Sequence, residues 1–134
     1  MNDRPSLPND GLARPYHDLL GIRVTAMENG RSNVVLDKSS ELYNSFNGIH
    51  GGAIASLIDV ACAMSIRSAD PQIKGSATIS LSISFLDASA GHLHAEGTVT
   101  RLGNTVAGTE ARVMDETGKL VAHAIGSFRV IRKK

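Results

Sequence analysis

NGIHGGAIASLIDVACAMSIRS, residues Asn47–Ser68, is the stretch that decides how this chain folds. Gly48, Gly51 and Gly52 pinch a turn. The apolar segment that follows, from Ala53 to Ile66, is too long for a strand and carries small residues throughout, so it reads as a helix. One carboxylate, Asp59, stands in the middle of it. Aspartate is a poor residue for a helix interior, and an unpaired charge in an apolar setting costs several kcal/mol. Asp59 is therefore placed on a wetter face, bonded to a neighbouring chain, or used in chemistry.

Working outward, the upstream segment YHDLLGIRVTAMENG predicts a short helical turn up to Leu20 and a strand from near Ile22, closed by the turn ENGR. SNVVLDK pairs back as a second strand, and the polar loop SSELYNSFNG leads to the helix. Downstream, SADPQIKGS breaks the helix with Pro and Gly, and TISLSISFL alternates polar and apolar residues from Thr78 to Leu86, which is the period of a strand with one wet and one dry face. GHLHAEGTVTRLG, NTVAGTEARVMD and KLVAHAIGSFRVI continue as strands separated by the turn signals LGN and DETG. A helix of about 16 residues is about 24 Å long. When it is this apolar it must be wrapped rather than laid on a surface. The expected class is α+β, an antiparallel sheet wrapped around one long central helix, with residues 1–14 as a lead-in and residues 15–134 as the domain.

The composition narrows the function. A chain of 134 residues forms one domain, and 42% hydrophobic residues with 4% aromatic and no Trp predict a core of Ile, Val, Leu, Ala and Met. A formal net charge of +1 gives no reason to expect a nucleic-acid partner. The N-terminal MNDRPSLPNDGLARP has no apolar core of signal-peptide length and no segment reaches the apolar length of a membrane span, so a cytoplasmic protein is expected, and the lone Cys62 has no partner for an internal disulfide.

Hydrolysis at a carbonyl needs a group that activates water or attacks the carbon, and donors aimed at the developing oxyanion. Asp59 is a candidate for the first. The N–H groups of Gly51 and Gly52 are candidates for the second, since they lie among the unpaired donors at the positive end of the helix dipole. Eight residues separate Gly51 from Asp59, about 12 Å along a helix. That is too far to share one carbonyl within a chain, so the spacing argues for a site built by two chains.

These residues also carry a resemblance. NSFNGIHGGAIASLIDVA, Asn44–Ala61, resembles the Asn-x-x-x-x-x-His-Gly-Gly entry and helix-borne acidic residue of the hotdog-fold acyl-CoA thioesterases, nearest the phenylacetate-degradation type, akin to the hydroxybenzoyl-CoA thioesterases. The resemblance spans about Tyr16 to Ile131 and implies specific roles. The Gly51 N–H polarises the thioester carbonyl, Asp59 of the facing subunit is nucleophile or general base, and His50 and Asn44 organise the thioester end. Thr78, or Ser76 one register away, assists Asp59. Gly52, Phe46 and Ile49 are expected at the acyl group, the last two with Ile54, Leu57, Ile58 and Met64 in an apolar lining, and these are equally ordinary core residues. RLGNT, Arg101–Thr105, matches the turn lining the nucleotide of coenzyme A, so Arg101, Gly103, Asn104 and Thr105 are binding candidates. The resemblance further implies a homodimer, pairing into a tetramer, and no metal or prosthetic group.

The chain departs from the pattern in three places. Asn104 stands where many relatives carry a second basic residue, Asp87-Ala88 where they carry Arg-Pro, and Asn47 where a glycine is usual. Arg129, Arg132, Lys133 and Lys134 are available to compensate the missing charge. Asn tolerates the left-handed conformation that such a glycine adopts. Alternatives from other classes are a non-catalytic acyl-CoA-binding or regulatory protein of the same fold, and a hydratase. A zinc site at His92, His94 and His123 lacks a further ligand at a usual spacing.

Overall fold

A computed structural model describes residues 13–134, so the expected lead-in lies outside the described residues except for Ala13 and Arg14. The helix α1 (Pro15–Leu20) ends on Gly21, whose φ of 76° is the left-handed cap that glycine adopts without strain. Strands β1 (Ile22–Glu28) and β2 (Arg31–Leu36) form a hairpin across Asn29-Gly30, both at positive φ, the conformation this dipeptide favours. A single 3-10 turn, Ser40–Leu42, precedes the long helix α2 (Gly51–Arg67). Then come β3 (Ile73–Phe85), β4 (Leu93–Leu102), β5 (Val106–Asp115) and β6 (Leu120–Arg132).

All six strands join one antiparallel sheet in the order β1-β2-β4-β5-β6-β3. The first hairpin is therefore stitched to β4, and β3 crosses to the far edge beside β6. Two details differ from the sequence reading. β3 begins at Ile73 rather than Thr78, because pairing with β6 extends it over the non-alternating IKGSA. It also carries a bulge: Thr78 pairs with Phe128 and Ser80 with Ser127, leaving Ile79 over.

The sheet wraps α2. Leu57, Ile58, Ala61, Cys62 and Ile66 are fully buried against it, each of the larger ones contributing about 1.5–3 kcal/mol by burial. At the closest approach, a side chain on Gly97 of β4 would overlap the Ala61 carbonyl, and that carbonyl accepts a hydrogen bond from the Ser32 hydroxyl of β2 at 2.6 Å. Cys62 packs here as a small hydrophobe. Burial pushes its thiol up to about 11, Thr109 opposing in part through a hydrogen bond. No described helix is long and apolar enough to cross a membrane.

Candidate active site

α2 has a second side. Gly52, Ala55, Ser56, Asp59 and Ala63 are not buried, and they share one face of the helix. Asp59 is thus only partly exposed rather than sunk in the core. Thr78 Oγ1 donates to its Oδ1 at 2.5 Å. The bulge makes that contact possible. Phe128, opposite Thr78, is buried, and so are Ala124 and Ala122, opposite Ile83 and Phe85, so Thr78 and the later odd-numbered residues all face the helix although they differ in parity. Ser76, the alternative partner, is elsewhere, its hydroxyl buried with no hydrogen-bond partner among the described residues.

The entry to α2 is organised by His50 and Asn44. His50 is the N-cap, its Nδ1 accepting from the Gly52 N–H at 2.7 Å, while its carbonyl takes the Ala53 and Ile54 N–H groups. Gly52 is thereby spent, whereas the Gly51 N–H, first of the helix, has no acceptor among the described residues. Asn44 Oδ1 accepts from the Phe46 and Gly48 N–H groups at 2.9 and 3.2 Å. Asn47 takes φ 60°, so it supports the left-handed turn in place of glycine. Phe85 packs against Gly51, where an added Cβ would lie 3.4 Å from the ring.

The candidates for the acyl lining separate. Ile49, Ile54, Leu57, Ile58 and Met64 are buried in the core on the sheet side of α2, and Phe46 is 89% exposed on the loop, turned outward between Asn44 and Asn47. None of them lines the pocket at Asp59. That pocket, about 470 Å³, lies between α2 and α1 and is walled by Arg14, Pro15, Tyr16 and His17 with Ala55, Ser56, Asp59 and Val60. The Tyr16 hydroxyl meets the Ser56 hydroxyl at 2.9 Å, and Ser56 also donates to the Gly52 carbonyl. Burial lowers the pKa of His17, Arg14 adds to the effect, and Asp18 and Asp59 oppose it. Sequence reasoning missed this wall, since the docking of a six-residue helix leaves no local signal.

The remaining candidates sit together at the β4–β5 turn. Arg101, Gly103, Asn104 and Thr105 line an open pocket of about 340 Å³ with Val106, Ala107, Gly108 and Ser127. The three histidines of the zinc alternative each have another partner: His92 accepts from the Lys38 N–H, His94 meets Asn33, and His123 lies 3.4 Å from Glu110.

A sheet wrapped around one helix, with a carboxylate on the helix's open face and a free N–H at its start, is the frame of a hotdog-fold hydrolase. The sequence profile of the thioesterase superfamily matches residues 46–122, and the chain belongs to that superfamily of thioester-hydrolysing enzymes. It is 35% identical over 119 residues to a candidate esterase of Saccharolobus solfataricus, covering 86% of this chain and 82% of the relative. Among solved structures, a conserved protein of Pseudomonas aeruginosa superposes with a TM-score of 0.86 at 27% identity, covering 93% of this chain and all of the other. The Escherichia coli PaaI protein, from the phenylacetic acid degradation operon, gives 0.81 at 25% identity over 88% of this chain and 85% of its own.

Proposed function

We propose that this protein hydrolyses an acyl-CoA thioester, aryl or medium-chain, to the free acid and coenzyme A at a site shared by two subunits of a homodimer. The observation that supports this reading is that α2 carries both an Asp59 held by Thr78 and a Gly51 N–H with no acceptor among the described residues. Thr78 occupies Oδ1 of Asp59, leaving Oδ2 to take a proton from water or to attack the carbonyl carbon. As the oxyanion forms, the Gly51 N–H of the other subunit stabilises it, aided by the positive end of the helix dipole. Collapse expels the coenzyme A thiolate, which is protonated to the thiol; where Asp59 itself attacks, water then hydrolyses the resulting mixed anhydride, releasing the free acid and restoring the carboxylate. His50 acts by fixing the helix start and consuming the Gly52 N–H, and Asn44 by shaping the loop before it. The acyl group lies in the pocket under α1, and the nucleotide end of coenzyme A reaches the turn at Arg101–Thr105. The relatives named as an esterase and as a phenylacetate-operon protein support this class of substrate, and a cytoplasmic location fits it. Pairing of dimers into a tetramer belongs to the same reading.

The test is a thioesterase assay over a panel of aryl- and fatty-acyl-CoAs with wild type and Asp59→Asn, alongside the mass in solution. Wild type should hydrolyse at least one class and Asp59→Asn should lose nearly all of that activity. Binding without hydrolysis would instead favour an acyl-CoA-binding protein. Full activity in Asp59→Asn, or a stable monomer that hydrolyses, would overturn the two-chain site.

A further inference from the structure

The β4–β5 turn has its backbone polarity sorted. The Gly103 N–H donates to the Val106 carbonyl at 2.9 Å, and the Val130 N–H donates to the Thr105 carbonyl at 2.8 Å. From the end of β6, Arg132 Nε donates to the Asn104 carbonyl at 3.2 Å and Nη2 to the Gly103 carbonyl at 3.4 Å, while Nη1 meets the Asp70 carboxylate at 3.2 Å. Asp70 is itself fixed by the Gln72 N–H at 2.8 Å. All three carbonyls of Gly103–Thr105 are thus engaged, whereas the Asn104 and Thr105 N–H groups have no acceptor among the described residues. Successive free N–H groups on a tight turn form a concavity that suits an anion. Both residues line the 340 Å³ pocket together with Arg101, and Arg132 does not line it.

We propose that Arg132 is a positioning residue for phosphate binding: by drawing the Gly103 and Asn104 carbonyls to itself, it leaves the Asn104 and Thr105 N–H groups, with Arg101, to receive a phosphate of the substrate. This rests on the acyl-CoA reading. It also gives the missing basic residue at position 104 a physical substitute, since backbone donors replace a side-chain cation. The planar guanidinium spans two carbonyls of the turn and the Asp70 carboxylate in a fixed geometry, and a lysine ammonium lacks that fork. Gly103 belongs to the same device, because a Cβ there would lie 2.5 Å from the Val106 carbonyl oxygen.

The experiment compares an acyl-CoA with the N-acetylcysteamine thioester of the same acyl group, which has no phosphates, using wild type, Arg132→Ala, Arg132→Lys and Asp70→Asn. Arg132→Ala should raise KM for the acyl-CoA about tenfold, with kcat within about twofold and KM for the truncated thioester unchanged. Arg132→Lys should restore only part of the loss, and Asp70→Asn should shift KM less in the same direction. If Arg132→Ala moves both thioesters alike, or neither, the positioning role is overturned; if that variant does not fold, Asp70→Asn decides on the same criterion. A wild type that hydrolyses both thioesters with one KM would refute the nucleotide site itself, a failure of the acyl-CoA reading distinct from a failure of Arg132.

Discussion

The two sides of α2 are made from the same seventeen-residue helix and do opposite work. Its sheet side, Leu57, Ile58, Ala61, Cys62 and Ile66, is closed completely by strands of its own chain. The other side, Gly52, Ala55, Ser56, Asp59 and Ala63, is covered only in part, by α1 and by Thr78 of β3, and holds the one carboxylate of the helix. Stability is concentrated on the first side and the proposed chemistry on the second. Substitutions on the two sides should therefore separate cleanly into those that unfold and those that inactivate.

Asp59→Asn tests the separation most severely. It keeps the shape and an acceptor for Thr78, so the melting temperature should stay within a few degrees. Activity should fall about a thousandfold, equivalent to about 4 kcal/mol of transition-state stabilisation. A parallel fall in stability would show that the two sides are coupled. Gly97→Ala is the counterpart on the closed side. The new methyl meets the Ala61 carbonyl, which is backbone and cannot step aside, so denaturant unfolding should show a loss of about 3 kcal/mol. Any enzyme that remains folded should keep its kcat.

The closed side was legible in the sequence and the open side only in part, for a physical reason. Burial on a sheet face leaves a periodic trace: the apolar run 53–66 located α2 within two residues of each end, and the alternation of TISLSISFL marked β3. Pairing at long range leaves none. The stitching of β2 to β4, the crossing of β3 to the far edge and the bulge at Ile79 depend on partners remote in sequence. Of the candidate site, Asn44, His50, Gly51 and Asp59 could be proposed from the sequence because their spacing is local to one loop and one helix. Thr78 stood on an uncertain register, and the bulge that aims it at Asp59 could not be read. Ile49, Ile54, Leu57, Ile58 and Met64 were ambiguous because apolar side chains serve core and pocket alike, and within this chain they are buried in the core.

Thr78→Val removes the hydroxyl from the Asp59 bond while preserving shape, and kcat should drop about tenfold, or about 1.4 kcal/mol, with Thr78→Ser restoring most of it. An unchanged rate would place the working oxygen of Asp59 beyond the influence of β3. Tyr16→Phe is milder still. Ser56 retains its bond to the Gly52 carbonyl, so the cost in stability should be about 0.5–1 kcal/mol. The informative readout is the ratio of KM values for aryl- and fatty-acyl-CoAs, which should change if α1 walls the acyl group and stay constant if it only covers the helix.

The smallest effect concerns His17, the titrating group of that wall. Its pKa is lowered in the folded protein, chiefly by burial, with Arg14 just before α1 contributing and Asp18 of α1 and Asp59 of α2 acting against the shift. The unfolded chain therefore binds a proton at a higher pH than the folded one. Between the two pKa values the unfolded state carries more protons, so stability falls as pH is lowered below about 6.5 and the loss is complete once pH passes the folded value. His17→Gln removes this dependence. Melting temperatures of wild type and His17→Gln, measured from pH 7.5 downward, should run parallel near neutrality and diverge in acid, with wild type falling faster. Curves that remain parallel throughout would mean that α1 opens before His17 takes its proton, and the covered part of the helix's second side would then be looser than its hydroxyl contact with Ser56 implies.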